Sequence, residues 1–141
     1  TIDPRTPVLV GQAQVAQHEE IIANARGPIE LMAQAVSDAA VDAGIAKLGN
    51  ASVIRVIRSL STREQNPARS IARALGISAN RYAYTPHGGN LPQTLVNTSA
   101  LEIQRGDADL IILTGGEATR SRRRVRNAEQ NLAWMSASAQ S

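Results

Sequence analysis

His87, Gly88, Gly89 and Asn90 stand together between a β-favouring run, "RYAYT" (81–85), and a segment from Leu91 onward that is helix-compatible and almost free of charge. A strand that turns into a helix through two glycines brings backbone N–H groups and the positive end of a helix dipole to one point. Such a turn can stabilise an anion or present a nucleophile. Of its side chains, His87 suits acid–base or ligand work as well as a structural hydrogen bond within the loop. Asn90 suits either a helix cap or a substrate contact. The chain has no cysteine, which excludes disulfides, Cys-ligated metal sites and every thiol mechanism within it.

Other reactive types are scattered. His18, the other of the two histidines, lies beside Glu19 and Glu20 in a polar stretch and reads as solvent-facing. Ser99 has neither a G-x-S-x-G elbow nor an obvious histidine partner, so a serine hydrolase is rejected. The "HGGN" stretch resembles an esterase oxyanion motif, but no nucleophile elbow follows it. "VGQAQVAQ" carries one glycine where a dinucleotide fingerprint needs three. Asn97, two turns into the third predicted helix, is expected to find an internal hydrogen bond, and Glu117 reads as a helix-start or interface carboxylate or as a general base. No metal site is expected.

The elements that must position this turn alternate. Val8–Val10 read as a short buried strand ending at Gly11. "PIELMAQAVSDAAVDAG" follows, with Pro28 at its start and Gly44 as its stop. Its Ile29, Met32, Ala33, Val36, Ala40 and Ala43 line one face of a helix. "SVIRVIRS" makes a β-branched strand interrupted by Arg55 and Arg58. "NPARSIARALG" carries a cap at Asn66, Pro67 in the first turn and Gly76 as a stop. Arg81–Thr85 predict the third strand, Asn90–Arg105 the third helix and Leu110–Leu113 the fourth strand before Gly115-Gly116. The third helix is apolar or small all round its first three turns, with Glu102 as its first charge, so it reads as buried on several sides. This βαβαβαβ order predicts an α/β fold, a mostly parallel sheet covered by helices.

Composition sets the limits. The 141 residues are 43% hydrophobic but only 2% aromatic, enough for one domain whose core is built from Ala, Val, Ile and Leu. No 18-residue apolar run is present. Thr1 without a preceding Met reads as a trimmed end, and 136–141 as a frayed tail. The net charge of +3 is local: Arg120, Arg122, Arg123, Arg124 and Arg126 fall within seven residues. Such a cluster could meet nucleic acid, an acidic partner or ligand phosphates, or form a solvated or salt-bridged face. Aromatic platforms and recognition motifs for nucleic acid are lacking, so that partner is the least favoured. Trp134, the single tryptophan, is expected to anchor the tail to the core.

"GGNLPQTLVNTSALEIQRGDADLIILTGGEATRSR", together with the opening "TPVLVGQAQ", resembles the N-terminal half of the thiolase superfamily, the acetyl-CoA acetyltransferases. In that family a catalytic cysteine begins a buried helix. The helix ends in a Gly-Asp step, here Gly106-Asp107, and the next strand closes in a Gly pair and a Glu, here Gly115-Gly116-Glu117. The likeness covers 1–135, taken as one domain, with the family's C-terminal catalytic half expected outside the chain. The family's spacing places the nucleophile at Gly89, where glycine offers only a backbone N–H. A thiolase-like branch of the family carries Gly-Gly-Asn at this turn. The resemblance therefore implies an acyl-CoA acetyltransferase-type protein of cytoplasmic lipid metabolism with CoA esters as substrate and no separate cofactor. It implies no covalent catalysis in this chain. His87, Gly88, Gly89 and Asn90 become candidates to hold substrate, and Arg122, Arg123 and Arg124 to contact CoA phosphates. It also implies a homodimer through the Arg81–Thr85 strand. The rival reading is a non-catalytic CoA-binding or oligomerisation module.

Overall fold

The computed structural model describes residues 3–17, 26–45, 48–57, 65–85 and 91–116. Helix α1 (Pro28–Asp42), strand β1 (Asn50–Val56), helix α2 (Pro67–Leu75), strand β2 (Ser78–Tyr84), helix α3 (Leu91–Gln104) and strand β3 (Ile111–Thr114) follow one another along the chain. The three strands form one sheet in the order β2-β1-β3, with both neighbours parallel to β1. Val53 faces Arg81 on one side and Ile111 on the other. The fold is α/β with a parallel sheet and helical crossovers, as the alternation of periods predicts.

The helix boundaries follow from local chemistry. Asn66 accepts a hydrogen bond from the Arg69 N–H at 3.4 Å, Pro67 occupies the first turn, and Gly76 closes α2 in the left-handed region at φ +66°. Pro28 opens α1, and Gly44, at φ +74°, follows it. α1 and α2 cover one face of the sheet. Met32, Ala33 and Val36 of α1 and Ala68, Ile71 and Ala72 of α2 pack with Ile54 and Val56 of β1 in a dry aliphatic core. Ile54, Val56 and Ile71 are fully inaccessible. Side chains alternate along a strand, so Val53 and Arg55 point to the opposite face, where α3 lies.

Two expectations are corrected. Val8–Val10 do not form a strand, and their side chains are 69%, 85% and 55% exposed. The run has β-branched composition, but a strand needs a ladder partner, and among the described residues this one has none. Instead the chain is seated on α1 just beyond it. The Gln12 N–H donates to the Asp42 carboxylate at 2.9 Å, and Gly11 packs so closely that a Cβ there would stand 2.3 Å from the Ala39 carbonyl oxygen. The sheet thus has three described strands. The second correction concerns α3, which is not enclosed on several sides. Leu95 and Ser99 are its buried residues, while Pro92–Thr94, Val96–Thr98 and Leu101 are exposed. A lack of charge permits burial on every side, but only the sheet face is covered among the described residues.

Candidate functional site

The two elements on either side of residues 86–90, β2 and α3, are both fastened to the sheet. β2 is fastened along β1 to its last residue, and the Thr85 N–H continues the ladder with a 3.0 Å bond to the Val56 carbonyl. The Thr85 hydroxyl, immediately before the turn, is buried and has no hydrogen-bond partner among the described residues. A buried hydroxyl without a partner is costly. It therefore marks a place where a turn amide or a ligand can be received. The sequence reading overlooked Thr85 because a threonine ending a strand is ordinary by composition.

On the other flank, α3 is clamped to the sheet by charge. Arg55, in the middle of β1 and only 7% exposed, donates from Nη1 to Ser99 Oγ at 2.8 Å and from Nη2 to Glu102 Oε1. Arg81 of β2, which stands opposite Val53 and so diagonal to Arg55, donates from Nη2 to Glu102 Oε2 at 2.9 Å. One carboxylate thus bridges two arginines from adjacent strands. Partial burial pushes the Glu102 carboxyl up, but the hydrogen bonds and positive charges of Arg55, then of Arg81, outweigh it and hold it below the usual range. The interruption of a β-branched strand by Arg55 and the isolated charge of Glu102 are one feature seen from two elements. Either residue alone reads as an irregularity, and only the crossover of α3 over β1 joins them.

The rest of the strand–helix–strand unit is shaped by glycine. Gly106, at φ +81°, ends α3, and the Asp107 N–H returns to the Glu102 carbonyl at 2.9 Å. After β3, a Cβ on Gly115 would stand 3.2 Å from Ile57 Cβ, and one on Gly116 would stand 2.9 Å from Met32 Cγ. The glycine pair lets the end of β3 approach both β1 and α1.

Of the residues singled out from sequence, Ser99 is buried and accepts from Arg55, a structural task. Asn97 is exposed, and its Oδ1 accepts from the Gln93 amide at 3.0 Å one turn earlier, which corrects the expectation of a buried amide. His18, His87, Gly88, Gly89, Asn90, Glu117, the arginines from Arg120 to Arg126 and Trp134 lie outside the described residues. Among the described residues, no group of three or more His, Asp or Glu is disposed to hold a metal ion, and no helix is long and apolar enough to cross a membrane.

No family profile and no curated protein matches the chain. Among solved structures, the chain is similar to a monomeric SCP2-thiolase-like protein, type 1, from Mycobacterium smegmatis. The two share 27% identity and superpose with a TM-score of 0.68 over 82% of this chain and 24% of the other. The chain spans about a quarter of the length of that structure, and its fold is thiolase-like.

Proposed function

We propose that this chain is the N-terminal α/β part of a thiolase-like protein of the acyl-CoA acetyltransferase type, and that it holds CoA esters without forming a covalent acyl intermediate. The observation that carries the reading is the likeness of fold and sequence to an SCP2-thiolase-like protein over 82% of the chain. The missing cysteine sets its limit. Acyl transfer through an enzyme thioester needs a thiolate nucleophile, and the turn between β2 and α3 has glycine at the matching position, Gly89. The backbone N–H groups of Gly88 and Gly89, at the head of α3, would bind the acyl carbonyl oxygen as an oxyanion hole does, with His87 and Asn90 beside it. Arg122, Arg123 and Arg124 would meet the CoA phosphates. The bound CoA ester is a substrate or ligand, and no further cofactor is needed.

The second reading, a non-catalytic CoA-binding or oligomerisation module, is favoured by the same absence of a nucleophile. Its interface would be the edge of β2 that is open among the described residues, extended by Thr85 into the Arg81–Thr85 segment. The solved relative is described as monomeric, so this homodimer is a proposal for the present chain alone.

Calorimetric titration of the chain with CoA and acetyl-CoA tests the acyl-CoA reading against a purely oligomerising module. Saturable binding of both, weakened about tenfold or more when Arg122, Arg123 and Arg124 are all replaced by Ala, is the expected outcome. No binding of either would sink the acyl-CoA reading. After incubation with acetyl-CoA, intact mass should show no acetyl adduct, and an adduct would overturn the assignment of Gly89.

A further inference from the structure

Two arginines meet one carboxylate where β1, β2 and α3 cross. Arg55, buried in the middle of β1, donates to Ser99 Oγ at 2.8 Å and to Glu102 Oε1, and Arg81 of β2 donates to Glu102 Oε2 at 2.9 Å. Net stability does not explain this use of a buried guanidinium. A buried ion pair gains little over a packed aliphatic pair once both charges have been taken out of water. The adjacent β1 positions, Ile54 and Val56, are filled by such aliphatic groups. What an aliphatic contact lacks is direction. Leu95, the buried apolar side chain of α3 among the described residues, would tolerate a helix that slid or turned a little. The arginine fork would not. Ser99 and Glu102 stand one turn apart on one face of α3. A slip by one residue moves each about 1.5 Å along the helix axis and about 100° around it, which breaks both bonds of the fork. The bond to Arg81 brings β2 into the same lock. Residues 86–90 run from the end of β2 to the start of α3, so their two ends lie where these elements put them. A span of five residues can take up little misplacement of its ends.

We propose that Arg55, Ser99 and Glu102 are positioning residues for acyl recognition: the fork fixes one placement of α3 against β1 and β2, and the acyl carbonyl of a CoA ester is gripped only in that placement. The three residues act through α3 and not by touching the ligand. The inference rests on the acyl-CoA reading and deepens it by dividing the ligand in two. The carbonyl is read between β2 and α3 and depends on the fork, because hydrogen-bond donors must stand within a few tenths of an ångström of the oxygen they serve. The CoA moiety is held through its phosphates by flexible, long-reaching arginines and does not depend on it.

The test is the preference for acetyl-CoA over CoA, taken as the ratio of their calorimetric dissociation constants for the full chain. The parent should prefer acetyl-CoA about fivefold, the worth of a hydrogen-bonded carbonyl. Arg55→Met with Glu102→Leu keeps a matched pair and the fold, and should reduce the preference to under about twofold while CoA itself binds as before. Arg55→Lys keeps the charge without the fork and should do the same. Ser99→Ala keeps the ion pair and should roughly halve the preference, so the outcome does not hang on the double variant's folding. Ile54→Val loosens the dry face and should leave the preference intact, which a loss through general destabilisation would not. A parent that binds neither ligand overturns the acyl-CoA reading and this inference with it. A parent that binds both without preference, or fork variants that keep the preference, overturn the inference alone. So does an Ile54→Val variant that loses the preference as the fork variants do.

Discussion

The two faces of the sheet are built on opposite principles. Toward α1 and α2 the contact is mainly aliphatic: Ile54 and Val56 meet Met32, Val36, Ala68 and Ile71, with Tyr82 and Tyr84 packed at its margin, and the energy there comes from area withdrawn from water. Toward α3 the same strand presents Arg55, and the helix is held by a guanidinium, a hydroxyl and a shared carboxylate. Apolar burial is forgiving in direction, because any complementary shape serves. An arginine fork engaging Ser99 and Glu102 one turn apart on α3 admits few poses. The difference teaches that the first face supplies stability and the second sets where α3 comes to rest. Buried ion pairs are poor sources of net stability but good sources of register.

Four measurements can break or sharpen that contrast, from the largest effect to the smallest. Ile54→Ala empties a site that is 0% exposed and should cost about 4 kcal/mol in denaturant unfolding. A loss under about 1 kcal/mol would mean the aliphatic face is not the main source of stability. Glu102→Leu leaves Arg55 buried with Ser99 as its remaining partner and should cost about 3 kcal/mol. Adding Arg55→Met to it should recover most of that loss, since a matched apolar pair replaces a matched ionic one. If the double variant is as unstable as the single, the clamp contributes more than geometry.

Acidification is the third. The Glu102 carboxyl is held below its ordinary value, so its contribution is complete above the unfolded value of about 4.3 and is lost as pH falls through the lowered folded value. The Glu102→Gln variant should therefore lose less stability than the parent between neutral pH and pH 3, read by urea midpoints at each pH. Equal acid losses would remove Glu102 from the account. Smallest is Arg81→Ala: that side chain is 56% exposed, and its bond to Glu102 should be worth under about 0.5 kcal/mol.

Much of this was legible from residue order. Pro28, Asn66, Pro67, Gly44 and Gly76 mark helix ends by their own backbone and capping chemistry, and the structure uses each of them so. The β1, β2 and β3 runs announce themselves as β-branched or aromatic segments between helices, though β2 begins at Ser78, three residues ahead of the predicted Arg81. Val8–Val10 shows where composition stops. Its residues suit a strand, but a strand exists only with a neighbour at the right distance, and that is a property of another segment. α3 makes the same point about burial: its freedom from charge tells which contacts it tolerates, while what covers Val96 and Leu101 depends on atoms outside it. The candidate site was located by sequence at the β2–α3 turn. Thr85 and the Arg55–Glu102 clamp were not: Thr85 stands out only through the burial of its hydroxyl, and the clamp joins residues 47 apart.

What the sequence by itself determined is local and exclusionary. It sets the alternation of strands and helices, the ends of α1 and α2, an aliphatic core, and the absence of any thiol chemistry, since these follow from single residues and short periods. The tertiary structure alone decided which face of β1 is dry and which is ionic, and that one carboxylate serves two strands. Those outcomes depend on how crossover connections bring distant segments into register, and no window along the chain contains both partners.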